Sequence, residues 1–152
     1  IPQFSSSTTD AQEAALDSNL NALRSAVDLY RAQHGGKFPG AVAATGATCT
    51  IGTAGTGAIN TEQAIIDQLT KYSSATGTTC SGADPTTVLG PYLRKGLPAD
   101  PITNSAAVAV ATAGIPLAPG AATGGWAYDV KTGQIVMNSN ALDSKLAAYS
   151  SH

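Results

Sequence analysis

Three features of the sequence predict an α+β fold in which a long N-terminal α-helix packs on a small antiparallel β-sheet. The first is a helical apolar stripe, Leu16, Leu20, Leu23, Val27 and Tyr30, whose steps of four and three residues place every member on one face. The second is a hairpin signal, with Trp126-Ala127-Tyr128 and Gln134 to Met137 on either side of Asp129-Val130-Lys131-Thr132-Gly133. The third is the material between them, rich in Gly, Thr, Ser and Pro and carrying one further short helical stripe.

The long helix dominates the chain. Asp10 offers an N-cap with Glu13 three positions on, Gly35 and Gly36 stop the pattern, and Pro39 forbids its return. Taken from Asp10 to Gln33 it is roughly 36 Å long. Its polar residues, Asp17, Asn21, Arg24, Asp28 and Arg31, face water or a neighbouring subunit.

From Gly40 to Ile59 no helical stripe exists, and the stretch reads as a long connection with a short strand around Cys49 to Ile51. Asn60 with Gln63 then caps a second helix whose face, Ile65, Ile66, Leu69 and Tyr72, is directed at the first. Ser73 to Pro85 reads as a surface loop that returns Cys80 toward Cys49. An even cysteine count in an exported protein favours a disulfide, with two free buried thiols as the alternative; a bridge here contributes about 3.5 kcal/mol. Leu89 to Asn104 is fragmented by Gly and Pro and anchored by Tyr92, Leu93 and Leu97.

Ala106 to Thr112 suits a strand, and Gly114 to Gly125 a loop. In the hairpin, Gly133 supplies a positive φ, Trp126 and Tyr128 share one face, and Ile135 and Met137 share a face of the partner strand. Ala141 to Tyr149 is expected to form a short helix capped by Asn140, with Leu142, Leu146 and Tyr149 inward.

With 152 residues the chain forms one domain, divided into 1-38 (the helix and its stop), 40-104 (loops and second helix), 105-140 (the sheet) and 141-152 (the tail). Only 12% of residues are charged and the formal charge is -2, so no basic footprint for nucleic acid exists. No stretch approaches the length of a membrane-spanning apolar run. Candidates for acid, base or nucleophile are few, and no enzyme is expected. His34 reads as a cation capping the helix C-terminus, His152 as a frayed end or tag, Asp100 as a turn former and Asp129 as the opening of the hairpin. Phosphate-loop and dinucleotide patterns are missing, as is any Cys-x-x-Cys or His cluster for zinc.

Three stretches carry a resemblance. Ile1-Pro2-Gln3-Phe4, a short polar run and the long helix, then AVDLYRAQHGGKFP from Ala26 to Pro39, resemble the soluble half of the N-terminal helix and its stop in type IV pilins and type II secretion pseudopilins. LGPYLRKGLPADPITN, from Leu89 to Asn104, is similar to the pseudopilin Leu-Pro-x-Asp-Pro step, with Ile102-Thr103-Asn104 departing from the usual continuation. GGWAYDVKTGQIVMNS resembles the pseudopilin sheet hairpin.

The resemblance implies a pilin-like fold and a structural role. In the family an apolar run of about twenty residues precedes the point where this sequence begins and crosses the bilayer. The prepilin is cleaved and N-methylated by a peptidase. The subunits polymerise through the N-terminal helix into a filament in the bacterial inner membrane and periplasm or at the cell surface. The implied partners are further copies of the chain, minor pilins or pseudopilins, and an inner-membrane assembly platform. Leu16, Leu20, Leu23, Val27 and Tyr30 are the residues expected to pack the filament. Major pseudopilins bind calcium near the C-terminal sheet, for which Asp129, Asn138, Asn140 and Asp143 are the candidates here. A secretion pseudopilus is the leading reading and a surface type IV pilus for adhesion or motility the second. A secreted carbohydrate-binding module, with Trp126, Tyr128 and Tyr149 stacking on sugar, is the alternative from another class.

Overall fold

The computed structural model describes residues 2–152, with side chains from Thr8 onward, and Ile1 of the opening tetrapeptide lies outside the described residues. The fold is α+β. Helix α1 runs Pro2–Gln33, α2 Glu62–Thr70, and the strands are β1 Tyr72–Ser73, β2 Thr79–Cys80, β3 Val108–Ala111, β4 Trp126–Asp129 and β5 Ile135–Met137, followed by a 3-10 turn at Tyr149–Ser151.

Helix α1 begins well before Asp10, so that residue lies in the helix interior and caps nothing. At 32 residues the rod is roughly 48 Å long. Its stripe is buried as the spacing requires: Leu16, Leu20, Leu23 and Tyr30 are fully covered and Val27 nearly so. They form one core with Ile65 and Leu69 of α2 and with Trp126, Tyr128, Ile135 and Met137 of the hairpin. Tyr92, Leu93 and Leu97 pack on its margin, as their place in the Pro-rich stretch predicts.

The larger sheet has the order β3-β4-β5. β4 and β5 pair antiparallel, with Trp126 opposite Met137 and Tyr128 opposite Ile135, and all four side chains are buried. β3 pairs parallel to β4, Val108 opposite Trp126, so the sheet is mixed where an antiparallel one was expected. Two parallel neighbours require the chain to return to its starting end before re-entering, and residues 112–125 supply that crossover. Gly133 adopts φ 71°, closing the β4–β5 turn.

Local polar chemistry moves three other elements. The N-cap of α2 is Thr61, whose Oγ1 accepts from the Ala64 amide at 3.2 Å, while Asn60 has φ 62° and cannot hold the extended cap conformation. Ser73 to Pro85, expected as a surface loop, contains the β1–β2 pair, with Ser73 opposite Thr79 and both fully buried. The strand expected at Cys49 to Ile51 is absent; the bridge to Cys80 comes from Ala54 instead. The tail from Ala141 to Tyr149 is not a helix. Asp143 Oδ1 accepts from the amides of Lys145 and Ala147, a local ring that competes with helical bonding, and Leu142 pairs with Ala148. Leu142 and Leu146 are therefore exposed and only Tyr149 of the expected face is buried. Cys49 and Cys80 form a disulfide with their α-carbons 5.8 Å apart.

Candidate assembly face

Helix α1 carries two seams. The first is the buried stripe, and because Leu16, Leu20, Leu23, Val27 and Tyr30 all lie inside the chain's own core, they are not available to pack a neighbouring copy. The second lies on the opposite side of the rod: Ala11, Ala15, Ser18, Ala22, Ser25, Leu29 and Ala32, alternating steps of four and three, are all exposed. Leu29 is the one large apolar member and is 51% exposed. Small residues at this spacing leave a smooth strip along which another helix backbone can approach closely. The signal is legible in the sequence, but counting only large apolar residues passes over it. The polar residues Asp17, Asn21, Arg24, Asp28 and Arg31 flank this strip.

From Thr8 to Ala15 no residue is buried, and Leu16 is the first that is. Within this segment the Glu13 carboxylate accepts from the amide and hydroxyl of Ser144, each at 2.7 Å. Farther along, the tail is tied to the same flank. Arg24 donates to the carbonyls of Ile135 and His152 at 3.1 and 3.2 Å, and Asn19 donates to the carbonyl of Ala99.

His152, expected as a frayed end, is clamped. Its Nδ1 lies 2.6 Å from Asp17 Oδ1 and its Nε2 2.9 Å from Asp143 Oδ2. Burial opposes its charge, but the hydrogen bonds to the two carboxylates outweigh that and raise its pKa. A carboxylate at each nitrogen holds the ring as the doubly protonated cation.

The far end of α1 is the reverse case. His34, expected as a cation capping the helix C-terminus, is buried and stacks on Tyr30 with centroids 3.7 Å apart. Nδ1 is 2.7 Å from the Tyr30 carbonyl, which only an N–H can satisfy, so Nε2 accepts from Ser73 Oγ at 2.8 Å. Burial lowers the His34 pKa, and the ring is neutral. This serine–histidine contact joins residues remote in sequence, and no spacing announces it. Ser73 is fully buried, so its hydroxyl faces no substrate and the contact is a structural tie.

The calcium candidates do not converge. Asp129 sits at the turn end of β4, where its oxygens accept from the amides of Gly114, Lys131 and Thr132. Asn138 sits at the other end of the hairpin beside Gly125, about 13 Å away by strand register. Asn140 bonds its amide to the Ala121 carbonyl, and Asp143 is bound to His152. Among the described residues no three His, Cys, Asp or Glu side chains gather as metal ligands. The rings expected to stack on sugar are core residues: Trp126 and Tyr128 are fully buried and Tyr149 is 7% exposed. Trp126 donates its indole N–H to the Pro98 carbonyl and Tyr128 its hydroxyl to that of Pro39, so even their polar ends point inward.

Asp100 links the Pro-rich step to the sheet. Its carboxylate accepts from the amides of Ile102, Thr103 and Gly125 and from the Thr103 hydroxyl. Burial alone would raise its pKa, but these hydrogen bonds, led by the Thr103 hydroxyl, hold it below the usual carboxylate range. No described helix is long and apolar enough to cross a membrane. Comparisons with protein-family models, curated proteins and solved structures match nothing to this chain.

Proposed function

We propose that the chain is a structural subunit of a filament of the type IV kind, a type II secretion pseudopilus or a close relative, with a pilin-like fold and assembly through α1. The exposed strip from Ala11 to Ala32 carries this reading. Exposed Ala favours the helix by propensity alone, but propensity does not require that Ala and Ser recur at steps of four and three along one side. A helix packed laterally on copies of itself does, because small side chains let helix axes approach to 8–10 Å or closer. The segment from Thr8 to Ala15, in which no residue is buried, supports the same reading, since a helix segment with little tertiary packing is marginal in water and gains from a partner. The three stretches that resemble pseudopilins are consistent with it.

On this reading the mechanism is packing. Each added subunit lays its helix against the strip of its neighbours, the sheet faces outward, and a growing fibre moves exported proteins. A surface pilus uses the same contacts and differs in where the fibre ends.

The test is pairwise cysteine cross-linking in cells that express the full-length gene, with the native cysteines retained. Cysteines placed at Ser18 and Ser25 are expected to give a ladder of oligomers, and a Leu29→Asp variant to reduce fibres seen by electron microscopy. Monomers only, with fibres unaffected by charge on the strip, would reject the proposal.

A further inference from the structure

Where α1 ends, the β4–β5 turn and Asn60, just before the N-cap of α2, border a cleft of 460 Å³. Its polar wall is Arg31, Lys37, Lys131, Asn60 and Thr112, and its apolar wall is the edge of Phe38 with Ala41 and Val130. The whole chain has 8 Lys and Arg against 10 Asp and Glu, yet three of those cations and none of the acids line this cleft. Among the described residues, none of the three cationic heads has an ion-pair partner.

The cations are placed by packing. The Phe38 ring lies so close to Gly133 that a β-carbon there would come within 2.3 Å of it. The Arg31 guanidinium covers the ring at 4.8 Å from its centroid, giving the order Gly133, Phe38, Arg31. The Lys131 stem lies over Gly114, where a β-carbon would meet it at 3.2 Å. Of the nearest acids, Asp129 is fully buried and holds backbone amides while its charge also acts on Lys131 without an ion pair, and Asp28 borders an adjoining groove with Arg31, again without an ion pair.

We propose that this cleft binds a small organic phosphate ester, with Arg31, Lys37 and Lys131 around the phosphate and the organic part against Ala41, Val130 and the Phe38 edge. A phosphate ester carries about -1.5 to -2 charges at neutral pH, which suits a cleft lined by three cations better than a single carboxylate does. A planar guanidinium held on an aromatic face offers paired N–H donors to two oxygens of one phosphate. The cleft lies within the size range of small-ligand sites and exceeds what a bare ion fills, and its apolar wall has no use in binding inorganic phosphate. Three clustered cations on a chain of net charge -2 make no track for a nucleic-acid backbone.

The experiment is a titration of the folded chain with glycerol phosphate, inorganic phosphate and glycerol at matched ionic strength, followed by the backbone amide resonances of Gly36, Lys37, Lys131 and Gly133. Glycerol phosphate is expected to shift these signals saturably, inorganic phosphate to bind at least threefold more weakly, and glycerol to do nothing. The Arg31→Gln/Lys131→Gln double variant is expected to lose at least tenfold in affinity and Lys145→Gln, on the tail, to lose none. Non-saturating shifts, equal binding of inorganic phosphate and the ester, or unchanged affinity in a folded double variant would each overturn the proposal.

Discussion

Ser73 Oγ donates to His34 Nε2 across 2.8 Å, tying the last turn of α1 to β1 beneath the stacked ring of Tyr30. The tie requires a neutral imidazole. Burial depresses the folded pKa of His34 below its unfolded value near 6.5, so its contribution is present above that value and is lost as pH falls through the folded pKa. Thermal melts at acid pH are expected to show this loss, and a His34→Gln variant to melt with a shallower acid dependence. Ser73→Ala leaves a buried nitrogen without its donor and is expected to cost about 1–3 kcal/mol in urea unfolding. A Ser73→Ala protein as stable as the parent would show that the tie is not formed.

His152 has the opposite sign. Asp17 and Asp143 raise its folded pKa against the opposing effect of burial, so its contribution is complete below the unfolded value near 6.5 and disappears as pH rises through the folded pKa. The side chain of Asp17 is 57% exposed, so solvent screens that half of the clamp and the gain stays below about 1 kcal/mol. His152→Ala is expected to flatten the neutral-to-alkaline fall in melting temperature, and a proton titration of the imidazole should place its pKa above that of a free histidine. A lower value would contradict the clamp.

Gly133 is doubly constrained. Its φ of 71° suits glycine, and the Phe38 ring occupies the space a β-carbon would take. Gly133→Ala is expected to destabilise by about 1–3 kcal/mol. Gly120, with nothing within 4 Å of a built β-carbon, is the control and should accept alanine within about 0.5 kcal/mol. Equal unfolding midpoints for the two variants would contradict the packing of Phe38 on the hairpin turn.

The disulfide closes a loop with a sequence separation of 31 residues. Replacing both cysteines by serine is expected to cost about 3.5 kcal/mol by loop entropy. The loss should be read at equilibrium from urea curves of the oxidised parent and the double variant. A difference under 1 kcal/mol would mean that the loop from Cys49 to Cys80 keeps its order unaided, through bonds such as that of the Thr50 amide to Asp84.

Periodicity alone settled the buried stripe of the rod and the faces of the hairpin. Leu16, Leu20, Leu23, Val27 and Tyr30 can share a side of a helix in one way only, and the alternation on either side of the turn puts Trp126 with Tyr128 and Ile135 with Met137. Both patterns are local, so they are readable without knowing what lies across the core. The strip from Ala11 to Ala32 was equally present in the sequence, and it shows as a face only once the large stripe is known to be covered.

Tertiary structure decided the rest, because it depends on partners distant in the chain. No local rule sets β3 parallel to β4, pairs His34 with Ser73, or brings Asp17 and Asp143 to the two nitrogens of His152. The same residue type, histidine, ends neutral at one end of the chain and charged at the other. Desolvation governs the first and two carboxylates govern the second, and both are properties of the folded surroundings that no residue carries by itself.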